Sequence, residues 1–215
     1  MAAHGRSTLR DLFDDSPTPH IAHPPRTHHR HFYVATDGSY RSNGGGLGAV
    51  IETCDGERVA RVAVTDVPPD NNVAEYRALH LGLDVLAARA PRSARVGVLV
   101  DHDDLAANLN YAVLAAQHPD WKPPRPISVP ASSENHWRGI RARIAGFEEV
   151  RAARIDSREN PAHALANAPE EYGHLDDRSQ RCVVPELPTA TASARTSDGD
   201  AQIPPPSRAE RRAGD

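Results

Sequence analysis

Three acidic residues stand where a carboxylate is costly unless something meets it. Asp37 follows the run His31-Phe32-Tyr33-Val34-Ala35-Thr36, in which Phe32, Val34 and Thr36 alternate with Tyr33, Ala35 and Asp37. Glu75 falls in the first turn of a segment with a helical apolar stripe, and Asp101 closes the short apolar run Arg95–Val100. Alone, Glu75 reads as an N-terminal glutamate favoured by the helix dipole. Together the three read differently. Carboxylates gathered without a cation repel one another and raise each other's pKa. Hard divalent cations resolve that conflict, since magnesium prefers carboxylate and water oxygens and keeps positions open for phosphate. Two such ions roughly 3.5–4 Å apart activate water and stabilise the leaving oxygen of a phosphodiester.

The elements around these residues must bring them together. The alternation before Asp37 predicts a strand, and the glycines Gly44-Gly45-Gly46 after it predict a turn. Leu47–Ile51 resumes as a second strand. Asp55-Gly56 predicts a hairpin turn into a third strand over 57–64, which Pro68-Pro69 ends. Asp70-Asn71-Asn72 supplies N-cap chemistry for a helix to about Ala90, with Tyr76, Leu79, Leu83 and Leu86 on its core side. A strand over 95–100 after that helix predicts a parallel crossover. Asp37 and Asp101 then end neighbouring parallel strands, at the crevice where open α/β sheets bind ligands. Asp103 and Asp104 open the next helix. Residues 118–130 read as a proline-rich loop, and Ser132-Ser133-Glu134 caps a helix carrying Trp137, Ile140 and Ile144. A last strand over 150–155 and a short helix over 161–168, with Pro161 in its first turn, complete the order. The fold class is α/β: a five-stranded mixed sheet, three antiparallel strands followed by parallel ones, flanked by helices.

Bulk properties limit the alternatives. The formal net charge of −4 gives no global attraction to nucleic acid, so any such surface is a local patch. Arginine supplies nearly all the positive charge, Lys122 being the single lysine. Cys54 and Cys182 sit in unrelated contexts and build neither a disulfide nor a zinc framework. No apolar run approaches the roughly 18 residues of a membrane span, and the start of the chain lacks the apolar core of a signal peptide. The expectation is a soluble, cytoplasmic protein with no membrane association and no obligate protein partner. Residues 1–30 are polar and proline-rich with His4, His20, His23, His28 and His29, and read as a flexible arm. The core then spans 31–170, and 171–215 reads as a disordered tail.

Four blocks occur in order: Asp37-Gly38-Ser39 with its glycine hairpin, Asn71-Asn72-Val73-Ala74-Glu75-Tyr76, the strand ending at Asp101, and Arg158-Glu159-Asn160-Pro161-Ala162-His163-Ala164-Leu165-Ala166. In this order they resemble the type 1 ribonuclease H family over about residues 31–168. The resemblance implies a ribonuclease H-like fold and an endonuclease that cuts the RNA strand of an RNA/DNA hybrid with two magnesium or manganese ions. It implies that Asp37, Glu75 and Asp101 are catalytic metal ligands. It places Gly38, Ser39, Asn43, Asn71 and Asn72 against the minor groove of the hybrid, which displays the 2′-hydroxyls that separate RNA from DNA. Arg158 is the first candidate for the DNA-strand backbone, ahead of Arg138 and Arg141.

The chain departs from the family at position 163, where the fourth carboxylate is usually an aspartate. Here it is His163. Imidazole can ligate a metal, hold a water or move a proton, but it adds no negative charge. Its expected place is beside the second metal, where exchanging oxygen for nitrogen favours manganese. Asp156 and Glu159 are the substitutes nearby. Two other readings use the same carboxylates: another nuclease of this fold, of resolvase or exonuclease type, and a weakly active or non-catalytic nucleic-acid-binding domain. The Asn-Asn-x-Ala-Glu-Tyr block opposes the first, and three intact carboxylates oppose the second.

Overall fold

The computed structural model describes residues 7–21 and 30–172. Its centre is a five-stranded sheet with strand order β3-β2-β1-β4-β5. The strands are β1 (Phe32–Arg41), β2 (Gly44–Thr53), β3 (Arg58–Asp66), β4 (Arg95–Val100) and β5 (Glu149–Arg154). The helices are α1 (Leu9–Asp15), α2 (Asn71–Ala87), α3 (Asp103–Gln117), α4 (Glu134–Ile144) and α5 (His163–Asn167). β1, β2 and β3 pair antiparallel, and β4 and β5 run parallel to β1, as the sequence predicts. No helix among the described residues is long and apolar enough to cross a membrane.

Strand alternation separates two cores. Val34, Ile51, Val62 and Val98 face the side covered by α2, α3 and α4, where Tyr76, Leu79, Leu83, Leu105 and Ile140 pack. Tyr33, Ala35, Val50 and Leu99 face the other side. α5 supplies Leu165 to this second face, and α1 supplies Leu9 and Phe13. α1 corrects the reading of a flexible arm for residues 7–21, the part of it that the structure describes, apart from Arg30. Its N-terminus is fixed by a capping box between Thr8 and Asp11. The Leu9 N–H donates to Glu52 at 2.9 Å, and the Phe13 ring lies 5.6 Å from Tyr33. The chain continues along the sheet edge, where Arg154 donates its backbone N–H to the Pro17 carbonyl at 2.9 Å. At the other end, Pro169–Tyr172 form a 3₁₀ turn that seats Tyr172 under the Arg61 guanidinium. The remainder of the tail lies outside the described residues, as do Cys182 and His4, His23, His28 and His29 of the arm.

The glycine run is the second correction. Gly44–Gly46 belong to β2, and the turn is Ser42-Asn43. Extended glycines cost backbone entropy, but Gly44 sits at φ +127°, in the left-handed region, and a Cβ on Gly45 would overlap the Ser39 carbonyl oxygen. A Cβ on Gly46 would overlap the Ala166 carbonyl oxygen. One on Gly48 would overlap the Ala162 carbonyl oxygen and come within 2.9 Å of the Ala166 nitrogen. The glycines let α5 lie directly on the strand.

Where α2 meets α4, His80 and His136 face each other with Nδ1 atoms 3.2 Å apart. One proton shared between them satisfies the pair. Burial pushes both imidazoles below the usual histidine value of 6.5; Arg143 and Arg77 add to the effect, and Asp84 and Asp66 oppose it. As pH falls below 6.5, the unfolded chain therefore binds protons that the folded pair resists, and stability falls until the folded pair titrates too. Between pH 7 and pH 5.5 the thermal midpoint of a His136→Gln chain should gain on that of the native chain, the difference being the pair's contribution. The same pH dependence in variant and native chain would contradict the assignment.

Candidate metal centre

Register brings two of the carboxylates together. Ala35 pairs with Leu99 across β1 and β4. Asp37 and Asp101 each lie two residues further on, so both side chains turn to the second face. Asp37 is not at the end of its strand, as the sequence suggested; β1 continues four residues to Arg41, opposite β2. Only its pairing with β4 stops before Asp37, and that divergence opens the crevice.

Glu75 arrives from the other side of the sheet. Asp70 caps α2 by accepting the Val73 N–H at 2.9 Å. The first turn then rests on Gly38, where a Cβ would overlap the Ala74 backbone carbonyl carbon. Gly38 thus serves to seat Glu75, which is 2% exposed. The Gly38 N–H favours the ionised glutamate, yet desolvation, Asp101 and Asp37 push its pKa up to about 9. Glu75 Oε2 is buried without a hydrogen-bond partner. Asp37 is pushed up to about 8, first by desolvation and then by Asp101. At neutral pH, in the absence of a cation, both carboxyls hold protons.

His163 completes the group. Asn160 positions it: its side-chain NH₂ donates to the Thr36 carbonyl at 2.9 Å, and its Oδ1 accepts the Ala162 N–H at 3.0 Å. The residue before Asp37 is thereby tied to the entry of α5. His163 Nδ1 lies 3.3 Å from Asp37 Oδ2. Asp37, Asp101 and His163 each present a ligand atom, all within 4.8 Å of one another. Glu75 stands outside this closest triple but within electrostatic reach of both aspartates. Asp156 and Glu159 stay on the surface, and Asp156 accepts the Arg158 N–H at 2.9 Å. The donor set, the buried Asp37 and Glu75, the partly buried Asp101 and the His163 imidazole, with Glu75 Oε2 lacking a hydrogen-bond partner, suits hard or borderline divalent cations.

The residues expected at the substrate divide into two groups. Asn43, Asn71, Asn72 and Arg158 are exposed. Gly38 lies beneath α2. The Ser39 hydroxyl is engaged inside the fold, donating to the Ala166 carbonyl at 2.6 Å and accepting the Gly46 N–H at 3.0 Å. Arg41, not singled out in the sequence, donates to the Asn167 carbonyl at 2.6 Å. With Asn43, Asn167 and Glu170 it lines a cavity of about 250 Å³ beside the β1–β2 turn. Asn160 was also missed, although it lies inside the quoted block; its type suits a buried bridge between two backbones.

No family model matches the chain, and no curated protein matches its sequence. Solved structures do match in fold. LC9-RNase H1, described as a type 1 RNase H with the type 2 active-site motif, is 18% identical, with a TM-score of 0.51 over 76% of this chain and 80% of its own. The foamy viral protease-reverse transcriptase in complex with RNA/DNA hybrid is 13% identical, with a TM-score of 0.50 over 71% of this chain and 21% of its own. The N-terminal RNase H domain of rv2228c from Mycobacterium tuberculosis, solved as a fusion with maltose binding protein, is 24% identical, with a TM-score of 0.49 over 67% and 96%. The chain has the fold of type 1 ribonuclease H structures.

Proposed function

We propose that the protein is a metal-dependent endonuclease that hydrolyses the RNA strand of RNA/DNA hybrids. What carries this reading is the convergence of Asp37, Glu75 and Asp101, with Asp37 and Glu75 buried and one Glu75 carboxylate oxygen without a hydrogen-bond partner. The fold likeness and the hybrid bound to the foamy viral structure support the choice of substrate. Asp37, Glu75 and Asp101 would hold two magnesium or manganese ions, with His163 as a further donor. When bound, such ions supply an activated water and neutralise the charge that develops on the scissile phosphate.

The chain's own residues do the rest. Asp37 sits between Asp101 and His163 and gives up its proton on loading. Glu75 accepts the Gly38 N–H and leaves its buried Oε2 without a hydrogen-bond partner, free to take a cation. His163 is half-exposed and accepts or returns a proton at Nδ1. Asn43, Asn71 and Asn72 line the approach to the minor groove and hydrogen-bond to ribose and base edges. Gly38 and Ser39 support them from beneath, Ser39 by holding the strands that flank the Ser42-Asn43 turn. Arg158 contacts the DNA-strand phosphates.

The test is cleavage of a labelled hybrid beside duplex RNA and duplex DNA, with magnesium or manganese. Cleavage of the hybrid is expected; equal cleavage of duplex DNA would overturn the assignment. His163 gives a second expectation. His163→Asp should raise the rate in magnesium relative to manganese, and His163→Ala should lower the rate with either ion, each by about 10-fold, the scale of a lost or exchanged ligand contact. Unchanged rates and metal preference in both variants would remove His163 from the centre.

A further inference from the structure

His102 follows Asp101 and has no part in the site described above. It is the N-cap of α3: its Nδ1 accepts the Leu105 N–H at 3.2 Å. A backbone N–H only donates, so Nδ1 carries no proton and the proton of the neutral ring is on Nε2. Nε2 lies 3.0 Å from Asn72 Oδ1. Nε2–H therefore donates to that oxygen. The start of α3, next to Asp101, is thus linked to the start of α2, next to Glu75.

We propose that His102 is a positioning residue that sets how Asn72 meets the substrate. An asparagine amide has one accepting and one donating end, and it flips at little cost when nothing holds it. Here the accepting end is taken by His102. The NH₂ end has no partner among the described residues, and the side chain is exposed. Asn72 therefore faces the groove as a donor. Every base pair presents acceptors in the minor groove, purine N3 or pyrimidine O2, whatever the sequence. A locked donor at Asn72 is matched to those atoms and to ribose oxygens. A freely flipping amide would offer the wrong end part of the time and lose the entropy of being fixed on binding.

This inference rests on the hybrid-nuclease reading, and the test keeps the two apart. His102→Asn retains an N-cap for Leu105, since asparagine is among the best N-cap residues, but its shorter side chain does not reach Asn72. Hybrid binding is measured by fluorescence anisotropy in an Asp37→Asn background, and cleavage kinetics in the otherwise native chain. His102→Asn should leave the thermal midpoint and kcat at the native values and raise Kd and KM about 5-fold, the scale of one net hydrogen bond. In an Asn72→Ala chain, the same change at 102 should have no further effect on Kd. Native Kd and KM in His102→Asn, or an equal effect in the Asn72→Ala chain, would overturn the proposal while leaving the nuclease reading intact. A native chain that neither binds nor cuts hybrid overturns both.

Discussion

Asp37→Asn should make the metal-free protein more stable and silence its cleavage at the same time. At pH 7 the folded chain keeps a proton on Asp37, because its pKa is pushed up to about 8, whereas the unfolded side chain, near 3.8, has lost it. Ionisation thus favours unfolding. The same holds for Glu75 between 4.5 and about 9. The sign follows directly: the folded state binds more protons than the unfolded state in this window, so stability is full below the unfolded values and declines as pH rises through the folded ones. Replacing the acid with a neutral amide removes that term and should raise the unfolding free energy by about 1–3 kcal/mol at pH 7. Cleavage should fall by about 10³-fold or more, the cost of losing a central charge from a metal-dependent phosphoryl centre. Manganese should stabilise the native chain by binding the folded state and should stabilise Asp37→Asn far less. The midpoint of the metal-free native chain should fall from pH 7 to pH 8.5, above the range in which His80 and His136 act. A metal-free variant less stable than the native chain, or a native midpoint flat across that range, would contradict this account of the site.

The second large effect is expected from single methyl groups. Gly48→Ala places a Cβ against the Ala162 carbonyl and within 2.9 Å of both the Ala166 nitrogen and the Leu165 Cβ. These atoms belong to α5 and its entry, so the helix must lift off β2. Overpacking of this kind costs about 1–3 kcal/mol. Because α5 carries His163 and is tied through Asn160 to Thr36, the lift also moves the imidazole away from Asp37. Gly38→Ala acts on the other side of the sheet, against the Ala74 carbonyl carbon, and displaces the turn that carries Glu75. Both variants should melt earlier than the native chain. Gly38→Ala should lose about 10²-fold or more in cleavage, since a small misplacement of a reacting group is costly. Gly48→Ala should lose less and should lower the rate with either ion, as His163→Ala does. Native activity in both, at reduced stability, would show that the glycines serve packing alone.

These glycines also mark where the sequence was legible and where it was not. The order of elements, the parallel crossover and the meeting of Asp37 with Asp101 followed from alternation and the parallel pairing, although Asp37 lies within β1 and not at its end. Glu75 followed from the N-cap, although it opens the second turn of α2 rather than lying in the first. The glycine run reads as a turn because flexibility is a local property, whereas the reason for Gly46 and Gly48 is non-local: α5 arrives more than 100 residues later in the chain. α1 was missed because proline and histidine dominate the composition around it. Its signal was nevertheless present in Thr8 and Asp11, three residues apart as a capping box requires, followed by Leu12 and Phe13. Ser39 was readable by type but not by partner, since nothing local shows that its hydroxyl binds Ala166. The pairs His80–His136 and His102–Asn72 join residues with no common motif, and only the packing of α2 against α4 and α3 brings them together.

Asp37, Glu75 and Asp101 are proposed to form a cation centre that cuts the RNA strand of a hybrid. The most direct measurement uses a hybrid labelled on both strands, incubated with the native chain and with Asp37→Asn in magnesium or manganese, and read strand by strand. The expected result is cleavage of the RNA strand alone by the native chain, dependent on the ion and lost in the variant. An intact hybrid with both ions, cleavage of the DNA strand, or equal cleavage by Asp37→Asn would contradict it.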